Sequence, residues 1–599
     1  MKLNNNQYKY LLCDSIAAYN YIKNKVKYKY LITSSPAILN NKNISCTSIY
    51  KGWSYNKIKQ FQENIFLHNL EIYKKINSIK NINKEENIVI NLAVSNFQKK
   101  LLRFGLISFV RKKDSTLFIK HITNNKKHNF INPPWDEIFS QNKNFKTIKF
   151  RDEFNYKSNK VQKVNIIQRV FFAGYETFKI RLYKKLFSII NYFNQKYLII
   201  LSENELSIEI ASRYLSKGYE IKDFSKYKKK FVKLTAKDKT KITKIFKKIE
   251  PIITKRINKW VSNEYSKLVL KNFKCFLYQN LEDYYSWHYT YKEILKTSFF
   301  TKENTILFCN SASNNKVQAA KNIFNNKKIP LISFQHGVTA EISASHLYNR
   351  IHHNTSVSDI FIAFNDNSAE IAKTNPFANC NSISFRGPKR FERVKTNLNK
   401  RVKNSILFLS NNLYRGNYGS LGNWATDEQM AETELTIISI INKTRRQIYY
   451  KPYPETYMRY IDEDPVLSYV NKCKQINVIT NKIDARYILS SYDILICGTS
   501  TSTLSWALMS EKPLIFINYK YLAPMQKDAL KLLEKSIFVV NYNSKYFKKK
   551  ITNILKSNKR ELYQEWNKKK IYRKKFISEF ISNSSNNYKS LDINNLKIN

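Results

Sequence analysis

Residues Asp493 to Asn518 (DILICGTSTSTLSWALMSEKPLIFIN) constrain the fold of this chain more than any other stretch. They read as an apolar strand over Asp493–Cys497, then Gly498 and the hydroxyl run Thr499–Thr503. A short helix over Leu504–Met509 and a second strand over Pro513–Ile517 follow. Neither strand alternates in polarity, the pattern of a parallel sheet covered by helices on both faces. The hydroxyl run then lies at the carboxyl end of a strand and the amino end of a helix. Unpaired backbone N–H groups and the helix dipole make that a place for phosphate. A helix cap alone would need one of Ser500 or Ser502. Five successive hydroxyl residues exceed that need.

The same grammar recurs along the chain. Tyr8–Cys13, Tyr28–Thr33, Tyr197–Ser202, Thr305–Cys309, Ile329–Phe334, Ile360–Phe364, Ser382–Phe385, Ile406–Ser410, Ile448–Lys451 and Asn477–Thr480 read as strands with helical segments between them. Thr426 and Gln429 form a capping-box signature for a helix running through Ile441, and Asp484 is placed to cap a helix to Ser491. The expected fold class is α/β, with two doubly wound Rossmann-type domains facing a cleft. Residues 1–394 form the first, with helical insertions at about 55–190 and 220–290. Residues 395–404 are a linker, 405–581 the second domain, and 582–599 a disordered polar tail.

Six of the ten glycines fall between Gly337 and Gly498, in a chain that otherwise avoids glycine, so backbone turns or close approaches concentrate there. His336 follows an apolar strand and precedes Gly337, which puts a group able to take a proton near neutral pH at a sheet edge. Glu341, five residues on, could orient that imidazole or serve as a base itself. Arg386, Arg390, Arg415 and Lys451 each come just after an apolar strand and suit a negatively charged group such as a nucleotide's phosphates. Asp462-Glu463-Asp464 has the DxD form of some metal-binding sites but reads as an ordinary polar turn before Pro465. The P-loop, the GxGxxG dinucleotide fingerprint and the GxSxG elbow do not occur, which removes kinase, dehydrogenase and hydrolase readings of those types.

The balance of 103 Lys+Arg against 45 Asp+Glu gives a net charge of +58. Lysine and asparagine are heavy throughout, so most of this charge is read as solvated surface. The lysine-rich faces at Lys226–Lys248 and Lys568–Lys575 suit an anionic membrane surface. The 37 phenylalanines and 41 tyrosines show no basic-groove clustering, which argues against nucleic acid as a partner. Seven scattered cysteines without a CxxC pair imply a reducing compartment with neither disulfide framework nor structural zinc. The amino terminus lacks the apolar core of a signal peptide, and no apolar run is long enough to span a bilayer. A cytoplasmic protein, peripheral at the inner face of the membrane, is expected.

In their order, five motifs between about residues 300 and 520 resemble those of CDP-glycerol glycerophosphotransferases and related capsular-polysaccharide glycosyltransferases of the GT-B architecture. They are Phe334-Gln335-His336-Gly337, Gly387-Pro388-Lys389-Arg390, Asn412-Leu413-Tyr414-Arg415-Gly416, Lys451-Pro452-Tyr453-Pro454, and Gly498-Thr499-Ser500-Thr501 followed by Lys512-Pro513. The resemblance implies that His336 is the catalytic base and that Ser500 and Thr501, with Ser502 beside them, bind donor phosphate. It puts Arg415, Gly416, Lys451 and Tyr453 in the same donor site, with Gln335, Gly337, Arg386 and Arg390 contacting acceptor or phosphate. Tyr453 stands where the family has a phosphate-binding histidine, and Gly416 and Gly498 stand where it has aspartates. Those departures weaken a polyol-phosphate assignment and favour a sugar transferase; a nucleotide-sugar donor, no metal or other cofactor, and a cell-surface glycan acceptor are expected. A CDP-polyol phosphotransferase and a non-catalytic scaffold of a polysaccharide assembly complex are the alternatives.

Overall fold

The computed structural model describes residues 7–106, 110, 113–123, 136, 139, 142–152, 166–186, 196–261, 263–310, 314–347, 355–378, 380–396, 401–411, 424–453, 462–479, 483–519 and 521–583. Three wholly parallel sheets organise them. The first contains β1 (Gln7–Cys13), β2 (Lys27–Thr33), β3 (Thr47–Ser48), β4 (Thr116–Thr123) and β5 (Phe145–Asp152), in the order β3-β2-β1-β4-β5. The second contains β6 (Tyr197–Ile200), β7 (Glu220–Asp223), β8 (Thr305–Cys309), β9 (Leu331–Phe334), β10 (Ile360–Ala363) and β11 (Asn381–Ser384), in the order β11-β10-β9-β8-β6-β7. The third contains β12 (Ser405–Leu409), β13 (Gln447–Lys451), β14 (Ile476–Val478), β15 (Ile494–Cys497), β16 (Leu514–Asn518) and β17 (Phe538–Asn541). Its order, β14-β13-β12-β15-β16-β17, reverses direction between β12 and β15, the place where doubly wound sheets open a ligand crevice.

The continuous apolar strands of the sequence are buried as that pattern requires. All residues of β8, β9, β12, β15 and β16 are buried. The α/β class and the two doubly wound units around a cleft therefore stand. A third sheet, within the expected first domain, adds to them. Its strands β4 and β5 fall in the stretch 55–190, where helical insertions were expected. In β5, FKTIKFRD, basic residues alternate with apolar ones, as suits an edge strand whose outer face meets solvent but obscures the apolar signal. Helices Tyr55–Asn77, Lys84–Leu106, Ala236–Trp260 and Asn263–Lys296 do fill the expected insertions. They pack between the first and second sheets, in one core that joins Leu12 and Phe118 to Leu307 and Leu331 through Phe97, Phe273 and Leu281. Residues 226–235 are not helical. That helix begins at Ala236, where Thr235 and Asp238 form a capping box.

A second core joins the second and third sheets, from Phe308 and Phe334 to Leu495 and Phe516, through Leu504, Trp566 and Phe576. The chain's last described segment crosses back to the second sheet. Asn583 N donates to Phe364 O at 2.8 Å, and Gly387 N donates to Ser582 Oγ at 2.8 Å. Ser582 and Asn583, expected to open a disordered tail, are thus held by hydrogen bonds; residues 584–599 lie outside the described residues. Part of the expected linker is pinned too. Arg401 Nη2 and Asn404 N both donate to the Asp493 carboxylate, at 2.8 and 2.7 Å. No helix among the described residues is long and apolar enough to cross a membrane.

Candidate functional site

The carboxyl edges of the second and third sheets face each other across a cavity of about 480 Å³. One wall carries Glu205, His336, Gly337, Pro388 and Phe391, from segments that follow β6, β9 and β11. The opposite wall carries Ser410 after β12, Lys451 and Tyr453 at the end of β13, Asp484 and Arg486 after β14, and Ser502, Thr503 and Trp506 after β15. The walls touch beside the histidine, where a Cβ on Gly337 would sit 3.4 Å from Ser502 Cβ. A backbone splice also ties them: Ala344 N donates to Pro524 O at 3.1 Å and Gln526 N to Ile342 O at 2.8 Å.

His336 is exposed to the cavity, and its tautomer follows from its neighbours. Asn204 caps the helix Glu205–Ser216, its Oδ1 accepting from Ser207 N at 2.7 Å. Its Nδ2 is therefore turned the other way, donating to Asn310 Oδ1 and to Gln335 O, both at 3.0 Å. Asn310 thus presents an acceptor oxygen to His336 Nδ1 at 3.0 Å. Nδ1 must carry the proton in that contact, which leaves the lone pair on Nε2. An imidazole held in this way can take a proton from a hydroxyl in the cavity.

Glu341 does something else. Gln335 Nε2 donates to its Oε1 at 2.7 Å and Thr339 N to its Oε2 at 3.0 Å, while Gln335 Oε1 accepts from Phe364 N at 2.6 Å. Glu341 is buried, burial pushes its carboxyl up from the ordinary value, and it does not line the cavity. It braces the loop that bears His336, and as a base it is out of reach. Gln335, with both ends of its amide engaged, is likewise part of the brace.

The described cations among those expected at strand ends differ in their surroundings. Lys451 lines the cavity; burial lowers its ammonium to about 8, partly offset by Asp484. Arg386 is buried, its Nη2 on Glu209 Oε2 at 3.0 Å and its Nη1 on Gly387 O at 2.7 Å, so it is spent within the fold. Arg390 Nη1 donates to Glu205 Oε1 at 2.7 Å. Arg415 and Gly416 lie outside the described residues. The hydroxyl run contributes Ser502 and Thr503 to the cavity, whereas Ser500 is buried with its Oγ donating to Ala523 O at 3.4 Å. Thr501 takes the N-cap position of the helix Ser502–Met509. Gly498 serves packing, because a Cβ there would lie 2.2 Å from the Tyr519 ring.

Several lining groups went unnoticed in the sequence. Arg486 donates to Glu205 Oε1 and to Asp484 Oδ2, and its guanidinium lies 4.8 Å from the Trp506 ring centre. Together with Arg390 this forms a four-residue ionic cluster that spans both walls. Burial pushes the Glu205 and Asp484 carboxyls up, but the arginines outweigh it and hold both below their usual range. Arg486 sits in the first of two 3-10 turns, Ala485–Tyr487 and Leu489–Ser491, where the sequence suggested one helix. Asp484 accepts from Arg486 N at 3.0 Å as well as from its side chain, a local turn that competes with helix. The signal for Arg486 was only its position two residues after a capping aspartate.

The carboxylates of the DxD-like turn are engaged elsewhere. Asp462 Oδ1 accepts from Ile16 N at 2.9 Å and its Oδ2 from Ser35 Oγ. Asp464 caps the helix Pro465–Val470.

No protein-family model matches the chain, and no curated protein sequence matches it. Among solved structures it is similar to Anabaena HepE in complex with UDP and glucose, at 10% identity over 65% of this chain and 96% of that one, with a TM-score of 0.33. It is similar also to Phytolacca americana UGT2 complexed with UDP-2fluoro-glucose and pterostilbene, at 9% identity over 67% and 97% of the two chains and a TM-score of 0.33. The glycosyltransferase VinC in complex with dTDP matches at 9% identity over 62% and 95%, with a TM-score of 0.29.

Proposed function

We propose that the chain is a metal-independent glycosyltransferase that moves a sugar from a nucleotide-activated donor to a hydroxyl of a cell-surface glycan, of capsular or lipopolysaccharide type. The observation that carries this reading is the meeting of His336, with its lone pair on Nε2, and the amino end of the helix Ser502–Met509 across one cavity. Nε2 takes the proton of the acceptor hydroxyl, whose oxygen forms the new bond to the anomeric carbon. The bond from that carbon to the donor phosphate breaks with its electron pair on the phosphate oxygen. Lys451 and the free N–H groups at Ser502 and Thr503 suit that growing negative charge.

Product mass tests the proposal. Incubation of full-length protein with a glycan acceptor and UDP-, dTDP-, GDP- or CMP-sugars is expected to add a sugar increment from one of them. An increment of polyol phosphate from CDP-glycerol or CDP-ribitol would overturn the sugar assignment. A melting curve that none of these nucleotides shifts would overturn the transferase reading altogether.

The lowered ammonium of Lys451 supplies a second test. A free-enzyme lysine near 8 loses its charge as pH rises through that value, so kcat/KM should fall on the alkaline side. Lys451→Arg keeps the charge at every working pH, and the alkaline limb should move up or vanish. An unchanged limb in the arginine variant removes Lys451 from the phosphate site.

A further inference from the structure

The first sheet brings its own carboxyl edge to elements of the third sheet's unit. Asp462 binds Ile16 N and Ser35 Oγ just past β1 and β2, the Tyr55 and Tyr521 rings lie 4.4 Å apart, and Lys59 Nζ is 5.0 Å from the Trp424 ring centre. Beside these contacts the two units leave a second cavity of about 460 Å³, separate in its lining from the one that holds His336. Ser48, at the end of β3, and Tyr50, Lys51 and Trp53 after it line one side; Glu428, Gln429 and Glu432 line the other from the first turns of the helix Asp427–Ile441.

The lining is built. Tyr50 N donates to Ser48 Oγ at 3.1 Å, Trp53 N donates to Tyr50 O at 2.9 Å, and the Trp53 ring meets Phe61 edge-on at 6.0 Å. A tight turn through Gly52, at φ +81°, joins Tyr50 and Trp53, with Tyr50 buried in the core and the Trp53 ring held against Phe61. Opposite them, Thr426 and Gln429 close a capping box, which sets the phase of the helix and puts Glu428 and Glu432, one turn apart, on the same face. Neither carboxylate forms an ion pair among the described residues, in a chain with more than twice as many basic as acidic side chains. Burial pushes the Glu428 carboxyl up, against its hydrogen bond with Ser48.

We infer that this second cavity is a saccharide-binding subsite, selective for neutral or amino-bearing sugar units over acidic ones. The half-buried Trp53 ring can cover part of the apolar C–H face of a pyranose, while carboxylate, amide and hydroxyl groups opposite accept from and donate to its ring of hydroxyls. Two carboxylates, neither ion-paired among the described residues, outnumber the single lining lysine, Lys51, and so favour a protonated amine on the sugar over a uronic or sialic acid. The inference stands apart from the chemistry of the His336 cavity: it needs no nucleotide, and it survives if the donor there is not a sugar.

Calorimetric titration of full-length protein with chitotetraose and with a glucosamine tetramer tests it. Both should bind at roughly millimolar dissociation constants or tighter, the amine-bearing tetramer more strongly. Glu428→Gln with Glu432→Gln should weaken the glucosamine tetramer about tenfold and leave chitotetraose nearly unchanged, since charge-assisted contacts are lost while hydrogen-bonding capacity remains. Trp53→Phe, which narrows the ring without opening the core, should weaken both. His336→Ala should weaken neither, which separates this subsite from the proposed transfer site. Lack of binding by either tetramer at about 10 mM would overturn the inference, and so would binding that none of the Glu428, Glu432 and Trp53 variants alters.

Discussion

His336→Ala is expected to lower kcat by roughly 10²–10⁴ while leaving nucleotide binding in place, because it removes a proton acceptor and no phosphate contact. The size of that loss distinguishes a base from a lining residue. A merely structural histidine would shift the melting curve and KM together and leave the pH profile unchanged. The hydrogen-bond chain behind the ring makes a sharper version of the test. Asn310 Oδ1 holds Nδ1–H at 3.0 Å, and Asn310 is itself held by Asn204. Asn310→Asp would place an acidic oxygen in nearly the same position. The carboxylate would favour the imidazolium form, so the base would stay protonated to higher pH. The acid limb of kcat/KM should therefore move up in pH, with activity recovered on the alkaline side. Should His336→Ala retain near-normal turnover, or should the Asn310→Asp profile coincide with that of the parent protein, His336 is not the base.

The features legible in the sequence were those encoded locally. Strands such as β15 and β16, buried on both faces, announce themselves as short apolar runs bounded by turn residues. Their order carries the sheet reversal at which the cavity opens. The Thr426–Gln429 capping box needed only residues three apart. Groups fixed by long-range pairing were not legible. Arg486 and Glu205 are 281 residues apart, and Asn204 and Asn310 are 106 apart, so nothing in either neighbourhood predicts the contact. The hydroxyl run shows a third limit. Its position at a strand end could be read, but which hydroxyls face the cavity depends on where the helix begins. With Thr501 as cap, Ser502 and Thr503 turn outward and Ser500 turns into the core.

Arg386 shows how a sequence-level cation can be a structural one, and its replacement should have the largest effect on stability. Its side chain is 6% exposed and that of its partner Glu209 8%, so the two charges pair with little solvent around them. Glu209 Oε1 also accepts from Lys389 N at 2.8 Å, which ties the Gly387-Pro388-Lys389-Arg390 turn to the helix Glu205–Ser216. Arg386→Met leaves the Glu209 carboxylate buried without its cation and is expected to destabilise the protein by about 3–5 kcal/mol. Adding Glu209→Gln removes the stranded charge yet keeps an oxygen for Lys389 N, so the double variant should be more stable than Arg386→Met alone. Urea-induced loss of tertiary signal, or resistance to proteolysis, reads the difference. A phosphate-binding Arg386 would behave in the opposite way, with donor or acceptor KM raised, stability preserved, and no rescue by Glu209→Gln. The buried pairing favours the first outcome, and the two sets of results do not overlap.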